Sequence, residues 1–255
     1  MVFPLRPILY RLSAAQTPAK VIESAAFPPR PWFATARHSG EAVELRLTEI
    51  FHSLQGEART VGRPTVFVRL TGCPQRCVWC DTEYAFSGGE KWTLESILAE
   101  VAQYGAGYIT VTGGEPLAQP NCLPLLTALC DEGYEVSLET GGAMDISQVD
   151  ERVSVVMDLK APGSAEQHNN RLENIPLLRP HHQVKFVLAD RKDYDWARFM
   201  LDQHQLAERV ADVLFSPVQG QLAPGDLADW IVADRLPVRF QLQLHKLLWN
   251  DARGR

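Results

Sequence analysis

Three cysteines stand close together in the chain, at Cys73, Cys77 and Cys80, directly after the apolar run Pro64–Leu70. Three thiolates on one short loop can bind three irons of a cubane cluster, and the missing fourth ligand leaves one iron open. A zinc site normally takes four ligands from paired knuckles, and the sequence offers no second Cys or His pair at suitable spacing. A disulfide framework is disfavoured too, because three close thiols cannot all pair and the chain is larger than typical cystine-stapled domains. The spacing therefore predicts an iron–sulfur cluster with one open site.

A glycine-rich turn, Thr112–Pro116 (TGGEP), closes the next apolar run. Glycine lets the backbone pass close to a ligand and offer amides and carbonyls without a Cβ in the way. Taken alone, such a turn is a common connection between a strand and a helix. Its place one βα unit after the cysteines favours a ligand-binding role.

Apolar runs of strand length alternate with amphipathic stretches of helix length from Val43 onward, a pattern typical of βα units around a parallel sheet. Cys122 and Cys130 lie eight apart on one helix face, and we interpret them as core packing rather than as ligands. The predicted strands are Leu45–Phe51, Thr65–Thr71, Tyr108–Thr112, Glu135–Glu139, Val153–Leu159, Val184–Leu188, Val213–Phe215 and Phe240–Leu244. The predicted helices are Leu94–Tyr104, Cys122–Glu132, Asp195–Gln203 and Gly225–Asp234.

The candidate functional residues follow the ends of these strands. In a (β/α) barrel the βα loops converge at the carboxyl ends of the strands, so chemistry collects there. Polar residues at such ends can bind a ligand, or they can simply form ion pairs at the barrel rim. The strand ends carry Cys73, Gly113–Glu115, Glu139–Gly141, Asp158–Lys160 and Ser216–Pro217.

The segment Cys73–Cys80 (CPQRCVWC) resembles the cluster loop of the radical S-adenosylmethionine (SAM) superfamily. The resemblance implies an α/β fold, a partial (β/α)6 TIM-like barrel, to which the first strand would be an N-terminal addition. It also implies a [4Fe–4S] cluster held by the three cysteines, with SAM on the open iron and a 5′-deoxyadenosyl radical as the reactive product. The SAM contacts implied are Gly114, Glu115, Glu139, Asp158, Leu159, Lys160, Ser216, Pro217, Val218 and Gln219.

A second resemblance is more specific. Leu47–Glu57 (LTEIFHSLQGE), Arg69 and the Cys80-Asp81-Thr82 run are similar to motifs of the 7-carboxy-7-deazaguanine synthases. That family converts 6-carboxy-5,6,7,8-tetrahydropterin to 7-carboxy-7-deazaguanine with loss of ammonia, in queuosine and 7-deazapurine biosynthesis. The implied reaction removes hydrogen from pterin C6, contracts the ring and regenerates SAM. The substrate contacts that this resemblance implies are Leu54, Gln55, Gly56, Glu57, Arg69, Thr112 and His245.

The chemistry of these residues agrees with a pterin. Gln55 and the backbone beside it can form paired hydrogen bonds with the amide-like edge of the pterin, and Glu57 can accept a hydrogen bond from the exocyclic amine. Arg69 offers a forked guanidinium for the carboxylate, although a structural ion pair is the alternative. Thr82 resembles the family residue that binds Mg²⁺, whereas Asp81 and Thr82 otherwise simply cap the next turn.

Two other functions share some of these features. A glycyl-radical-enzyme activating enzyme would have the same cluster loop and a protein substrate, but it has no need for the Leu54–Glu57 motif. An iron–sulfur carrier without catalytic activity would have no reason for the Gly113–Pro116 turn. SAM cleavage on reduction separates the carrier from the enzymes, and dependence on a pterin separates the two enzymes.

Length and composition narrow the class. The chain has 255 residues and a formal charge of −6, which allows one large domain and gives no sign of a nucleic-acid groove or an anionic membrane surface. No apolar stretch approaches the roughly 20 residues of a membrane span. Reduced cysteines predict a cytoplasmic enzyme. The family resemblance implies a homodimer and an electron donor such as flavodoxin or ferredoxin.

Residues 1–42 differ from the rest, because prolines interrupt every possible helix or strand. We predict a disordered leader, followed by a single radical SAM domain over residues 43–255. The alternative is that translation starts near Val43 at a codon other than AUG, because the next methionine is Met144. Mass spectrometry of protein made from its native gene tests this, and an intact Met1 would exclude it.

Overall fold

The computed structural model describes residues 43–250 and 252–255. The predictions of a disordered leader and of a later start concern residues 1–42, which lie outside the described residues. Within the described ranges, no helix has the length and apolar character needed to cross a bilayer.

The described residues form nine strands and six helices. The strands are β1 (Glu44–Leu54), β2 (Pro64–Leu70), β3 (Glu90–Thr93), β4 (Tyr108–Gly113), β5 (Glu135–Thr140), β6 (Ser154–Asp158), β7 (Gln183–Leu188), β8 (Asp212–Pro217) and β9 (Arg239–Phe240). The helices are α1 (Leu94–Gln103), α2 (Cys122–Asp131), α3 (Arg191–Gln203), α4 (Leu206–Arg209), α5 (Pro224–Asp234) and α6 (Leu244–Trp249). Five 3₁₀ segments lie at Glu83–Ala85, Pro116–Ala118, Pro162–Ser164, Gln167–Asn169 and Leu172–Leu177.

All nine strands belong to one sheet with the order β3-β1-β2-β4-β5-β6-β7-β8-β9. From β2 to β9 every neighbouring pair is parallel, whereas β1 pairs antiparallel with both β2 and β3. The two outermost strands, β3 and β9, do not pair with each other, so the sheet is an open, partial barrel within the described residues. The predicted α/β class, the parallel sheet and the added first strand are confirmed.

The parallel strands are apolar because helices and the opposite barrel wall cover both of their faces. Strand β6 illustrates this, since Val155, Val156 and Met157 are all buried. Helix α2 covers the sheet with Leu125, Leu126 and other buried residues, and all of these side chains join one hydrophobic cluster. The two cysteines predicted to be core packing, Cys122 and Cys130, are buried in that cluster. A continuous core therefore fixes the strand ends that carry the candidate functional residues.

The prediction of a final strand at Phe240–Leu244 is wrong beyond Phe240. Strand β9 ends there, and the next side chain, Gln241, bonds the backbone of Ala58. Its Oε1 accepts from the Ala58 amide at 2.8 Å, and its Nε2 donates to the Ala58 carbonyl at 3.0 Å. Leu244 then begins α6 and donates its amide to the Gly56 carbonyl at 2.9 Å.

Other elements also differ from the prediction. Helices α4 and α6 have no counterpart among the predicted helices, and β3 and α3 differ for reasons that the structure shows. Strand β3 has no apolar run to signal it, since its sequence is EKWT and it lies at the sheet edge. Helix α3 begins four residues before the predicted Asp195, because Asp190 caps it. The Asp190 carboxylate accepts from the amides of Lys192 at 2.8 Å and Asp193 at 3.0 Å, which satisfies donors that a helix start leaves free.

A buried histidine gives the fold a pH dependence. His182, 5% exposed, accepts a hydrogen bond at Nδ1 from the Arg179 amide at 3.1 Å, and burial lowers its pKa to about 4. The unfolded chain binds a proton at His182 near pH 6.5, so stability falls as the pH drops from there toward 4. We expect this group to lower the free energy of unfolding by about 2 kcal/mol between pH 7 and pH 5.

Urea unfolding of the protein and of His182→Asn at both pH values measures the effect. Asparagine keeps an acceptor near the Nδ1 position but does not titrate, so the variant is expected to lose less stability on acidification. Equal losses in the two proteins would show that His182 is not the group responsible.

Candidate active site

A cavity of about 290 Å³ lies where the carboxyl ends of the parallel strands meet. Its wall contains the four residues predicted at metal ions, which are Cys73, Cys77, Cys80 and Thr82. It also contains all seven predicted substrate contacts, which are Leu54, Gln55, Gly56, Glu57, Arg69, Thr112 and His245. Six of the predicted SAM contacts line it as well, namely Gly114, Glu139, Asp158, Lys160, Val218 and Gln219. Residues from distant parts of the sequence thus share one cavity.

The loop that carries the cysteines is held by backbone hydrogen bonds from both sides. Gly72 donates its amide to the Ala85 carbonyl at 2.8 Å, and Val78 donates to the Ser164 carbonyl at 3.1 Å. The Arg76 amide donates to Glu166 Oε1 at 2.7 Å, and the Arg76 guanidinium lies 4.3 Å from the centre of the Phe86 ring. The loop is therefore positioned by the protein itself.

The three cysteines of this loop fit a cluster with one open iron. They are free thiols, partly exposed on the cavity wall, and burial raises the pKa of each. Three sulfur donors on one fixed loop provide ligands for three irons. In the described ranges, no group of three or more His, Cys, Asp or Glu side chains converges as ligands of a single ion. A cubane does not require such convergence, because each thiolate binds a different iron.

The glycine-rich turn packs directly against the cysteine loop. The Glu115 amide donates to the Gly72 carbonyl at 2.9 Å. A Cβ on Gly114 would lie 2.6 Å from the Cys73 Cβ and 2.7 Å from the Gly72 carbonyl carbon, distances that real Cβ atoms do not reach. Gly114 is therefore required for the close approach of the two loops, whatever its contact with a ligand.

The other four predicted SAM contacts lie behind the cavity wall, at Glu115, Leu159, Ser216 and Pro217, all of them buried. The Glu115 carboxylate is engaged by the protein itself. It accepts from the Gly141 amide at 2.8 Å, the Leu117 amide at 3.1 Å and the Thr140 hydroxyl at 2.9 Å. Its contacts join the end of β5 to the glycine-rich turn, so it shapes the wall on which Thr140 and Gly141 lie.

Glu139, predicted at SAM, contacts two residues predicted at the substrate. Its Oε2 accepts from the Thr112 hydroxyl at 3.0 Å, and its Oε1 accepts from Gln55 Nε2 at 3.3 Å. Gln55 is 2% exposed, and its Oε1 accepts from the Glu57 amide at 3.1 Å. These bonds connect Glu139 to residues predicted at the substrate, and Gln55 links Glu139 to the backbone of Glu57.

Arg69 forms the ion pair that was the alternative to a ligand contact, yet it also lines the cavity. Its Nε donates to Glu49 Oε1 at 2.7 Å, and the same oxygen accepts from the Tyr84 hydroxyl at 2.8 Å. The guanidinium carbon lies 5.5 Å from the centre of the Phe51 ring and 5.8 Å from that of Tyr84. Because Glu49 binds the inner nitrogen, this ion pair does not require the two terminal nitrogens, so the two interpretations of Arg69 are compatible.

The C-terminal segment closes one side of the cavity. Lys246 forms an ion pair with Asp81 at 2.9 Å, and Gln243 Nε2 donates to Asp81 Oδ2 at 3.3 Å. Burial alone would raise the pKa of Asp81, but Lys246 outweighs it and the pKa is lowered. His245 packs on Gly56, where a Cβ would lie 3.1 Å from the His245 Cγ. Arg253 lies 4.2 Å from the Tyr84 ring centre.

Several residues of the cavity wall were not singled out from the sequence, among them Gln75, Tyr84, Lys185 and Gln243. Tyr84 lies in a segment without regular periodicity, so no pattern signals it. Gln243 lies within the predicted strand Phe240–Leu244, where nothing distinguishes it from a solvent-facing residue. Lys185 does leave a signal, because it is a charge inside the apolar run Val184–Leu188. A charged residue in a buried parallel strand requires partners, and this alone would have marked it for attention.

Comparison with known proteins agrees with this site. The model of the radical SAM superfamily matches residues 67–162, which include the cysteine loop and the glycine-rich turn. A 7-carboxy-7-deazaguanine synthase from Koribacter versatilis is 42% identical over 220 residues, covering 81% of this chain and 97% of the relative. Its counterpart from Chlorobaculum tepidum is 45% identical over 214 residues, covering 82% and 97%.

The chain belongs to the 7-carboxy-7-deazaguanine synthase family. It is therefore a radical SAM enzyme, a lyase of queuosine biosynthesis, as the sequence motifs predicted. Family membership implies a [4Fe–4S] cluster, SAM, a small-molecule substrate and a source of electrons. The crystal structure of QueE from Escherichia coli has the same fold, with a TM-score of 0.63 and 22% identity over 82% of this chain and 100% of that one.

Proposed function

We propose that this enzyme converts 6-carboxy-5,6,7,8-tetrahydropterin to 7-carboxy-7-deazaguanine with loss of ammonia, using SAM and Mg²⁺. The observation that carries the proposal is that one cavity holds the three cysteines together with Gln55–Glu57 and Arg69. The product is the one named for the relatives from Koribacter versatilis and Chlorobaculum tepidum. When bound, the cluster and SAM would supply a 5′-deoxyadenosyl radical.

The cofactor would be held at the cysteine end of the cavity. Cys73, Cys77 and Cys80 would bind the cluster. Backbone groups at Gly114 would meet the methionyl part of SAM, since glycine leaves them accessible. The other predicted SAM contacts that line the cavity are Asp158, Lys160, Val218 and Gln219.

The pterin would bind at the end of the cavity opposite the cysteines. A pterin edge carries N–H donors, and the Glu57 carboxylate on the wall is an acceptor for them. Gln55 would hold this arrangement by its bonds to the Glu57 amide and to Glu139. We place Glu139 on the pterin side because Thr112 and Gln55 donate to it.

The substrate carboxylate would be held by Arg69 and Mg²⁺. The terminal nitrogens of Arg69 match the two oxygens of a carboxylate, and Glu49 fixes the guanidinium through Nε. The Thr82 hydroxyl lies on the wall and donates to Asp81 Oδ1 at 2.9 Å. Oxygen atoms of this kind suit a hard cation that keeps water or substrate oxygens as its other ligands. These residues would act mainly by orientation, setting the reacting hydrogen toward the cofactor.

Product analysis by mass spectrometry tests the proposal. The enzyme is reconstituted with iron and sulfide under anaerobic conditions and supplied with reductant, SAM, Mg²⁺ and 6-carboxytetrahydropterin. We expect 7-carboxy-7-deazaguanine, and we expect Cys77→Ala to make none. Omission of Mg²⁺ is expected to lower the rate.

A protein that cleaves SAM but leaves the pterin unchanged would exclude the proposed reaction. It would favour the glycyl-radical-enzyme activating enzyme, whose substrate is a protein. An intact cluster without any SAM cleavage would favour the iron–sulfur carrier.

The remaining predictions concern the enzyme in its cell. We propose a homodimer, a flavodoxin or ferredoxin as electron donor, a cytoplasmic location, and residues 43–255 as one radical SAM domain. Family resemblance supports the homodimer and the electron donor, and the reduced cysteines support the cytoplasmic location. The single domain is supported by a cavity wall that includes both Leu54 and Lys246. Sedimentation analysis tests the dimer, and reduction of the cluster by each purified donor tests the electron donor. Cell fractionation tests the location, and SAM cleavage by a 43–255 fragment tests the single domain.

A further inference from the structure

Lys185 is a charged residue on an otherwise apolar strand. Its neighbours on β7, Val184 and Phe186, are fully buried, and neighbouring side chains of a strand point to opposite faces. Lys185 itself is 8% exposed and lies on the cavity wall. An ammonium in such a place is costly without anionic partners.

Three carboxylates surround this ammonium. The Lys185 Nζ donates to Glu57 Oε2, and Asp158 and Glu139 also act on its charge. Burial alone would lower the pKa of Lys185, but these three carboxylates outweigh it and raise the pKa. Lys185 is therefore a permanent cation on the wall of the cavity.

The partner Glu57 is held through both of its carboxylate oxygens. Gln243 Nε2 donates to Oε1 at 2.6 Å, and Lys185 donates to Oε2. Burial alone would raise the pKa of Glu57, but Lys185 outweighs it and the pKa is lowered. A carboxylate has about four acceptor positions, so each oxygen can still accept from a ligand.

The second lysine of the cavity serves a different place. Lys160 Nζ forms an ion pair with Asp158 Oδ2 at 2.9 Å, and Cys77 also acts on its charge. Lys160 is therefore tied to the cysteine end, whereas Lys185 is bonded to Glu57 at the end proposed for the pterin. The two cations are not interchangeable.

We infer that Lys185 is a positioning residue for substrate recognition, which holds Glu57 as a fixed anion facing the N–H donors of the pterin. This inference rests on the proposed function, because it assigns Lys185 to the pterin side of the same cavity. It predicts that loss of the Lys185 charge weakens substrate binding and leaves the cofactor end intact.

Steady-state kinetics of the reconstituted enzyme and of Lys185→Met test the inference. We expect the KM for 6-carboxytetrahydropterin to rise at least about 30-fold, the range seen when one partner of a buried charge pair is removed. Iron content and SAM cleavage without pterin are expected to stay at the level of the unaltered enzyme. Lys192→Met is the matched control, because Lys192 is exposed on α3, and it should change nothing.

The pH dependence of KM separates positioning from a purely structural ion pair. Besides Lys185, the charged or titratable groups that face Glu57 are Asp81, Glu139 and His245. Without Lys185, burial and these acidic neighbours favour protonation of Glu57, and a protonated carboxyl loses acceptor capacity. The KM of Lys185→Met should therefore fall as the pH rises. A structural ion pair would change stability alone.

The double variant Glu57→Gln, Lys185→Met removes both charges and covers the case in which Lys185→Met does not fold. It leaves no unpaired buried charge from this pair, so it is expected to fold and to keep the raised KM. An unchanged KM in a folded Lys185 variant, with product still formed, would overturn the inference alone. Absence of product from the unaltered enzyme would instead overturn the proposed function and the inference with it.

Discussion

Gly114→Ala is expected to abolish SAM cleavage, although glycine and alanine differ by one methyl group. The added Cβ would lie 2.6 Å from the Cys73 Cβ, so the cysteine loop and the glycine-rich turn must move apart. Neither neighbour can give way easily, because the close atoms belong to backbone or to a Cβ. A displacement of about 1 Å at a reacting centre can cost about 100-fold in rate. We expect at least that loss when SAM cleavage is measured with reductant.

Gly107→Ala is the control for this experiment. A Cβ on Gly107 has no heavy atom within 4 Å among the described residues, so the substitution should leave the rate unchanged. Iron and sulfide content of both variants shows whether the cluster itself is lost. A Gly114→Ala enzyme that cleaves SAM at the normal rate would disprove the required close approach.

Arg69→Gln is expected to raise the KM for 6-carboxytetrahydropterin at least about 30-fold, because removal of one partner of a desolvated charge pair costs about 2–5 kcal/mol. Arg69 is 15% exposed in its side chain, so water would replace its contacts poorly. SAM cleavage in the absence of pterin should be unaffected, since the cysteine loop does not depend on this guanidinium. Kinetics with and without pterin measure both quantities.

Tetrahydropterin without the 6-carboxylate shows whether Arg69 acts on that group. The unaltered enzyme is expected to bind it far more weakly than the carboxylated substrate, whereas Arg69→Gln should keep only the part of this preference that Mg²⁺ supplies. Arg69→Lys keeps the charge but not the fork, and we expect an intermediate KM. If Arg69→Gln keeps the full preference for the carboxylated pterin, Arg69 does not hold the carboxylate.

The sequence predicted the parts of the site that depend on local spacing. The cysteine loop and the glycine-rich turn come at the ends of strands that their apolar runs reveal, and Glu139 lies near the end of another such strand. Parallel strands place such ends together. The hydrogen bonds and ion pairs around the cavity could not be predicted from the sequence. Nothing in the sequence indicates that Arg69 Nε binds Glu49, or that the Glu115 carboxylate bonds Gly141 and Thr140 rather than a ligand.

The end of the chain shows why the rest of the fold was harder to predict. Apolar residues continue past Phe240, which favours a longer strand. The strand nevertheless ends at Phe240, and the side chain of Gln241 has its hydrogen-bond partners at Ala58, a residue far away in the sequence. Periodicity reports local preference and cannot report a partner supplied by another part of the chain.

The hydrogen bond between Glu57 and Gln243 affects the order in which parts of the enzyme fold during synthesis. The two residues are 186 positions apart, and Leu244 and His245 also contact Gly56. During synthesis the cysteine loop and the first parallel strands leave the ribosome well before this last segment. The cofactor end can therefore take shape on an incomplete chain, whereas the wall proposed for the pterin forms only after residues 243–245 have been synthesised. Contacts of such long range also slow folding, so this wall is expected to be the last part to order.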